Sequence, residues 1–428
     1  MTEAINDTKP IIELRLHSES VSQDGLPDHV KASGSGSTRR SDWVPFAYGF
    51  RPFFLAALAW AAIAMAVWAG IRAAGFSPLP GLPPQLWHGH EMIFGFVGAA
   101  IAGFLLTAVP GWTGARGFAG WPLVLLTLLW LAGRVSFALA SRLPSWTVVL
   151  SELSFFLVLA LMVAVPLLRS RNRNTPLLLV LGALWSIDAT FLYAMVLGDL
   201  SLAASMLRVA LDVVLVLITV IGGRIVPSFT ANALRGQGVV APMRKHVVVD
   251  VAAIASMILV VVVDVVAPTH GIAVLVAAFA ALAQAIRLSG WRGMRALNDP
   301  IVWVLHLAYL WIPVGLALKA VSLGTGAEWA AGWLHALTAG AVSMMVVAVI
   351  TRASLGHTGR PLAVSRAVAV AYGVLCAAAL ARVVATAFSA SRELALGLAT
   401  SLWIAAFVIL LFSYGPILLR RRVDGREG

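Results

Sequence analysis

Twelve runs of about 20 apolar residues, parted by short breaks rich in glycine, proline and polar residues, leave this chain few ways to fold. They cover roughly 53–73, 91–110, 121–141, 146–168, 176–197, 206–227, 246–267, 271–289, 301–321, 333–352, 364–388 and 394–419. Each is long enough to cross about 30 Å of hydrocarbon as a helix. In lipid a helix satisfies its own backbone hydrogen bonds, which an open strand cannot do. The expectation is an all-α integral membrane protein, a bundle of about twelve transmembrane helices spanning residues 46–420. At 60% hydrophobic and 12% charged, with mean hydropathy +0.91 over 428 residues, the composition excludes a water-soluble domain of this length.

The ends differ from the middle. The first 45 residues stand apart: residues 1–40 are polar and contain Gly34-Ser35-Gly36-Ser37, a flexible-linker composition. No apolar stretch follows a basic start, so this is not a signal peptide, and it reads as a disordered cytoplasmic tail. Residues 421–428 read as a short basic cytoplasmic tail. Alternating the loops between two faces puts 23 lysines and arginines on the side of both termini and 5 on the other, with Arg134, Arg224 and Arg382 inside spans. The positive-inside bias makes both termini cytoplasmic. The net charge of +12 is then a signal of topology and anionic lipid. Scattered over short loops, it does not form a nucleic-acid surface, and no nucleic-acid partner is expected.

Two histidine-bearing segments read as degenerate copies. His90 lies 22 positions before Trp112, and His335 lies 22 before His357; Gly95 and Gly340 each fall five after the leading histidine. His90 and His335 enter the membrane at equivalent points on the outer side. Intramembrane ionisable groups are functional by default, and the pair predicts a shared metal or haem. Small residues in both spans would let a flat cofactor in, though they also pack helices without one. His88 stands two positions from His90, about 200° around a regular helix, so both cannot face one metal unless the helix starts between them. His88 reads equally as an outer copper ligand beside Glu91 or as an interfacial hydrogen-bonding group. Arg134, Arg382 and Arg392 are candidates to hold haem propionates, or to pair with acids between helices. Asp188 is a candidate proton carrier or a satisfied polar group. Met344, Met345 and the single Cys376 read as packing residues. The tryptophans near span ends read as interfacial anchors.

The motifs His88-Gly-His90-Glu91-Met92, Gly222-Gly-Arg224-Ile-Val-Pro227-Ser-Phe-Thr230, His306-Leu-Ala-Tyr-Leu-Trp311, His335-Ala-Leu-Thr-Ala-Gly-Ala341 and Thr351-Arg352-Ala-Ser-Leu-Gly-His357-Thr-Gly-Arg360 together resemble the NnrS family over roughly residues 45–420. That resemblance implies a bacterial inner-membrane protein carrying haem b and copper, tied to nitric oxide metabolism and resistance to nitrosative stress, as in denitrification. A weaker, architectural resemblance is to haem-copper oxidases, which hold a low-spin haem between histidines of the second and tenth spans. It implies the same haem between His90 and His335. Similar segments ending spans 2, 6 and 10 suggest three four-helix units. The chain departs from those oxidases: span 6 has no histidine and span 7 only His246, at its edge. An oxygen-reducing binuclear centre is therefore not expected. A second metal site on the cytoplasmic side, from His306 and His357, is expected instead.

Two function classes follow. The first is a haem and copper protein that binds or turns over nitric oxide, as a membrane oxidoreductase if it does chemistry, with electrons from quinol or a periplasmic donor. The second is a transporter or handling protein for haem, copper or another solute.

Overall fold

The computed structural model describes residues 44–75, 83–239, 243, 246–387 and 391–425. The expected amino-terminal tail lies outside them up to residue 43, and so do residues 426–428 of the expected basic tail. Among the described residues, twelve helices are long and apolar enough to cross a membrane. Numbered in order as spans 1 to 12, they are Phe50–Ala74, Pro84–Thr113, Trp121–Ala138, Ser145–Arg169, Leu177–Leu197, Leu200–Gly236, Val247–Val266, Gly271–Ser289, Pro300–Thr325, Glu328–His357, Arg366–Val384 and Arg392–Leu419. The all-α bundle read from the apolar runs is the fold observed.

Local chemistry sets the ends. Spans 1, 2, 5 and 9 stop at glycines in the left-handed region, Gly75, Gly114, Gly198 and Gly326, where a residue without Cβ is unstrained. The Asp199 side chain accepts from the Leu202 amide at 2.9 Å and starts span 6. Span 2 begins at Pro84, seven residues before its apolar run. A proline in the first turn costs no hydrogen bond, but the polar Gln85, His88 and His90 hide that turn from a hydropathy reading.

Burial sorts the spans into layers. In spans 2, 6 and 10, 83%, 72% and 67% of the apolar window is buried, against 28% to 61% in the others. These three touch one another at the centre. Spans 11, 12 and 1 form an arc ending on span 2, spans 3 to 5 an arc ending on span 6, and spans 7 to 9 an arc ending on span 10. The three four-helix units suggested by the span ends are thus present. Each inner helix also leans on the next unit's arc: span 2 on spans 3 and 4, span 6 on spans 7 and 9, span 10 on span 11. Outward faces carry exposed Leu128, Leu161, Leu179, Val262 and Phe412, an apolar exterior suited to lipid rather than water.

The start of span 1 and the end of span 12 meet on one face, as an even number of spans requires. The Val44 amide donates to the Leu419 carbonyl at 2.9 Å, and the Arg51 guanidinium donates to the Leu418 carbonyl at 2.9 Å. Beyond span 12 the chain folds back onto the end of span 10, with the Val423 amide on the Thr358 carbonyl at 3.2 Å.

The repeat reaches below the level of the helix. Span 2 is π-helical over Glu91–Val97 and span 10 over Ala336–Val342. Each seven-residue segment starts directly after its histidine, His90 or His335. Each glycine inside faces a tryptophan of the preceding span in its unit. A Cβ on Gly95 would lie 2.5 Å from Trp60 Nε1, and one on Gly340 would lie 2.5 Å from Trp311 Cδ2. In span 2 the Trp130 indole also reaches this segment, donating at 3.0 Å to Gly95 O, which the Gly98 amide reaches as well.

Candidate functional site

At the end of the bundle where spans 2 and 10 begin, a cavity of about 330 Å³ opens between spans 1, 2, 6, 10, 11 and 12. His88 of span 2 and His335 of span 10 both line it. Trp68 of span 1 stacks on the His88 ring, with centroids 4.8 Å apart and planes 24° apart. His88 Nδ1 is buried without a hydrogen-bond partner. Arg72, Arg208 and Arg382 also line the cavity, and its remaining wall is mainly Met, Leu, Ile, Val, Phe and Ala. Arg72 is paired with Glu393, and Arg208 donates to Ser205 Oγ at 2.8 Å.

The cavity therefore takes a different histidine from the expected one. His90 does not line it. Its ring is fully buried on the other flank of span 2, with centroids 4.9, 4.2 and 4.9 Å from those of Phe94, Phe137 and Phe191. No flat macrocycle fits against an imidazole enclosed this way. Because the helix runs unbroken through both positions, His88 and His90 point apart, as their spacing requires. The cavity brings His335 together with His88 and not with the His90 expected from the repeat.

His90 belongs instead to a closed polar cluster. His90 Nε2 is 3.0 Å from Asp188 Oδ1, and His90 Nδ1 is 3.6 Å from Glu91 Oε1. Arg134 donates to Glu91 Oε2 at 3.0 Å and also pairs with Glu152. Trp60 Nε1 donates to Glu91 Oε2 at 2.8 Å. Spans 1 to 5 each contribute one or more of these groups. Arg134, expected as a propionate partner, is thus occupied by carboxylates and lies outside the cavity lining. Of the other two expected, Arg382 lines the cavity. Arg392 is exposed at the start of span 12.

The histidines expected on the cytoplasmic side, His306 and His357, are not brought together. His306 Nε2 is 2.8 Å from Thr230 Oγ1, and Trp291 packs against its ring at 6.4 Å. His357 stacks on Tyr48 at 6.2 Å and lines a separate cavity of about 270 Å³ with Arg352 and Phe229, one that His306 does not line. His246 is exposed at the start of span 7. The sequence reading passed over Glu152, Arg72 and Trp68. Glu152 carried a usable signal, as a single carboxylate inside the fourth apolar run. The others needed the packing, since span-end arginines and tryptophans are ordinary interfacial residues.

The family model described as NnrS protein matches residues 44–422 of this chain. No curated protein matches it.

Proposed function

The chain belongs to the NnrS family, which makes it a nitric-oxide-related membrane protein, and from that premise we propose that it holds a b-type haem between His88 and His335 and handles nitric oxide there. The observation that carries this reading is the cavity itself. Two imidazoles from the second and tenth spans, three arginines and a flat aromatic face converge on one largely apolar space. Cavities of roughly 300–1,000 Å³ with few polar groups are what cofactors occupy. Neutral imidazole is a good axial ligand, and the orphaned Nδ1 of His88 is a buried polar atom that calls for a partner. Arg72, Arg208 and Arg382 have the charge and fork geometry for propionates.

When bound, haem supplies a redox centre and an iron able to take nitric oxide. The protein's part is to dissolve an apolar gas in an apolar wall, to exclude water, and to hold or release the axial rings. Ligation by both histidines would leave the iron closed. His88, one turn from the start of span 2 and stacked on Trp68, is the residue placed to yield. His335 is held at the head of the π-helical segment. We place the protein in a bacterial inner membrane with its termini on the cytoplasmic face, and we propose copper as its second metal. Quinol or a periplasmic protein is the proposed electron donor.

The test is an absorption spectrum of purified protein, oxidised and reduced, with and without nitric oxide. Sharp reduced haem bands are expected, part of them shifting with the gas, and both His88→Ala and His335→Ala should remove them. No haem band in protein made with haem supplied would sink the reading.

A further inference from the structure

We propose that the closed cluster on the far flank of span 2 is a site for a divalent transition-metal ion, held by His90, Glu152 and Asp188. One ligand atom from each of these three residues lies within 4.8 Å of the other two. All are inside the protein: His90 is 0%, Glu152 2% and Asp188 1% exposed. His90 Nδ1, Glu91 Oε1 and Glu152 Oε1 have no hydrogen-bond partner. Native interiors seldom leave so many polar atoms of one cluster unsatisfied.

Charge leads to the same conclusion. Glu91, Glu152 and Asp188 are three carboxylates, and Arg134 is the cluster's single guanidinium. With a neutral imidazole the group carries two negative charges in excess, deep in a membrane bundle, where uncompensated charge is expensive. One divalent cation cancels that excess. The geometry assigns roles around it. His90 Nε2 and Asp188 Oδ1, 3.0 Å apart, are spaced as two ligands of one ion, and a carboxylate oxygen of Glu152 within 4.8 Å is a third. Nδ1 then faces Glu91 Oε1 at 3.6 Å, just beyond hydrogen-bond distance and on the side where a carboxylate would orient a metal-bound imidazole. Arg134 holds Glu91 and Glu152 from behind. One nitrogen with two oxygens suits Zn²⁺, Fe²⁺, Mn²⁺ or Cu²⁺; it lacks the sulfur that would favour Cu⁺. An ion at this cluster does not require haem in the cavity.

The experiment is elemental analysis of the purified full-length protein, as isolated and after loading with Zn²⁺, Cu²⁺, Fe²⁺ or Mn²⁺ and desalting, with haem measured separately on the same sample. Close to one non-haem metal per chain is expected. Glu152→Gln and Asp188→Asn should weaken metal binding by about 10- to 100-fold or more, with haem content unchanged. A wild-type protein that keeps none of the four ions overturns the proposal, as do variants that retain metal at wild-type level. Should the variants fail to fold, the Cu²⁺-loaded wild type still decides. Its electron paramagnetic resonance should show one nitrogen among oxygen ligands, and a sulfur-ligated or several-nitrogen spectrum overturns the assignment. Loss of haem in His88→Ala with the cluster's ion retained would show that this site stands apart from the haem cavity.

Discussion

Two residues apart in sequence, His88 and His90 have opposite surroundings. One opens onto a cavity beneath a tryptophan, and the other is boxed by three phenylalanines and bound to carboxylates. The 200° between them was readable from spacing; which of them faced His335 was not. This yields a contrast that a spectrum can check. His88→Ala should lower haem occupancy at least about tenfold, since an axial ligand is lost, while His90→Ala should leave haem content near wild type and change only non-haem metal. Equal haem loss in both would contradict the geometry. Arg134 offers a second test at this scale. Removing its guanidinium leaves Glu91 and Glu152 facing each other's charge inside the bundle. Breaking a buried ion pair from one side costs about 3–5 kcal/mol. Arg134→Ala should therefore denature well below wild type in a detergent thermal melt, and Arg134→Lys should recover part of the difference.

At the level of the element, the π-helical segments after His90 and His335 carry the repeat. Both are seven residues long, and in each the glycine is packed under a tryptophan of the preceding span. Gly95 and Gly340 were legible as equivalent positions in the sequence. The widening of the helix and the tryptophan were not, because no residue type marks a π turn as proline marks a kink. Each glycine lets an indole approach the backbone where a methyl group would clash. Overpacking of this kind costs about 1–3 kcal/mol. Gly95→Ala and Gly340→Ala should each lower the melting midpoint. Gly340→Ala should also weaken haem retention, because His335 heads that segment, whereas Gly95→Ala should leave it closer to wild type. The two can be compared directly by melting and haem titration.

On the scale of the whole molecule, three units around spans 2, 6 and 10 explain why the repeat pairs His335 with His90 whereas the cavity pairs it with His88. Span 2 leans on spans 3 and 4, and span 10 leans on span 11. Equivalent positions on two inner helices therefore look into equivalent but different gaps. His90 meets the arc of spans 3 to 5, while His335 meets the arc of spans 11, 12 and 1. His88 reaches the second gap because it is turned back toward its own arc. The gap between span 6 and spans 7 to 9 is polar as well, with Gln284, Arg287 and Tyr309 bonded to one another or to Thr219, and Lys319 turned inward to Asp264. The topology has its own check. In a Cys376→Ala background, Ser141→Cys should react with an impermeant thiol reagent from outside intact cells, and Ser170→Cys only after the membrane is opened. The reverse pattern would invert the orientation. The sequence alone determined the twelve spans, their alternation and the two equivalent histidine positions, because length, hydropathy and loop charge act locally along the chain. Which histidines share a cavity, and which carboxylates close around His90, was decided only when the spans packed. A helix face acquires a partner from the rotation and neighbours of its helix, and neither is written in the spacing of its own residues.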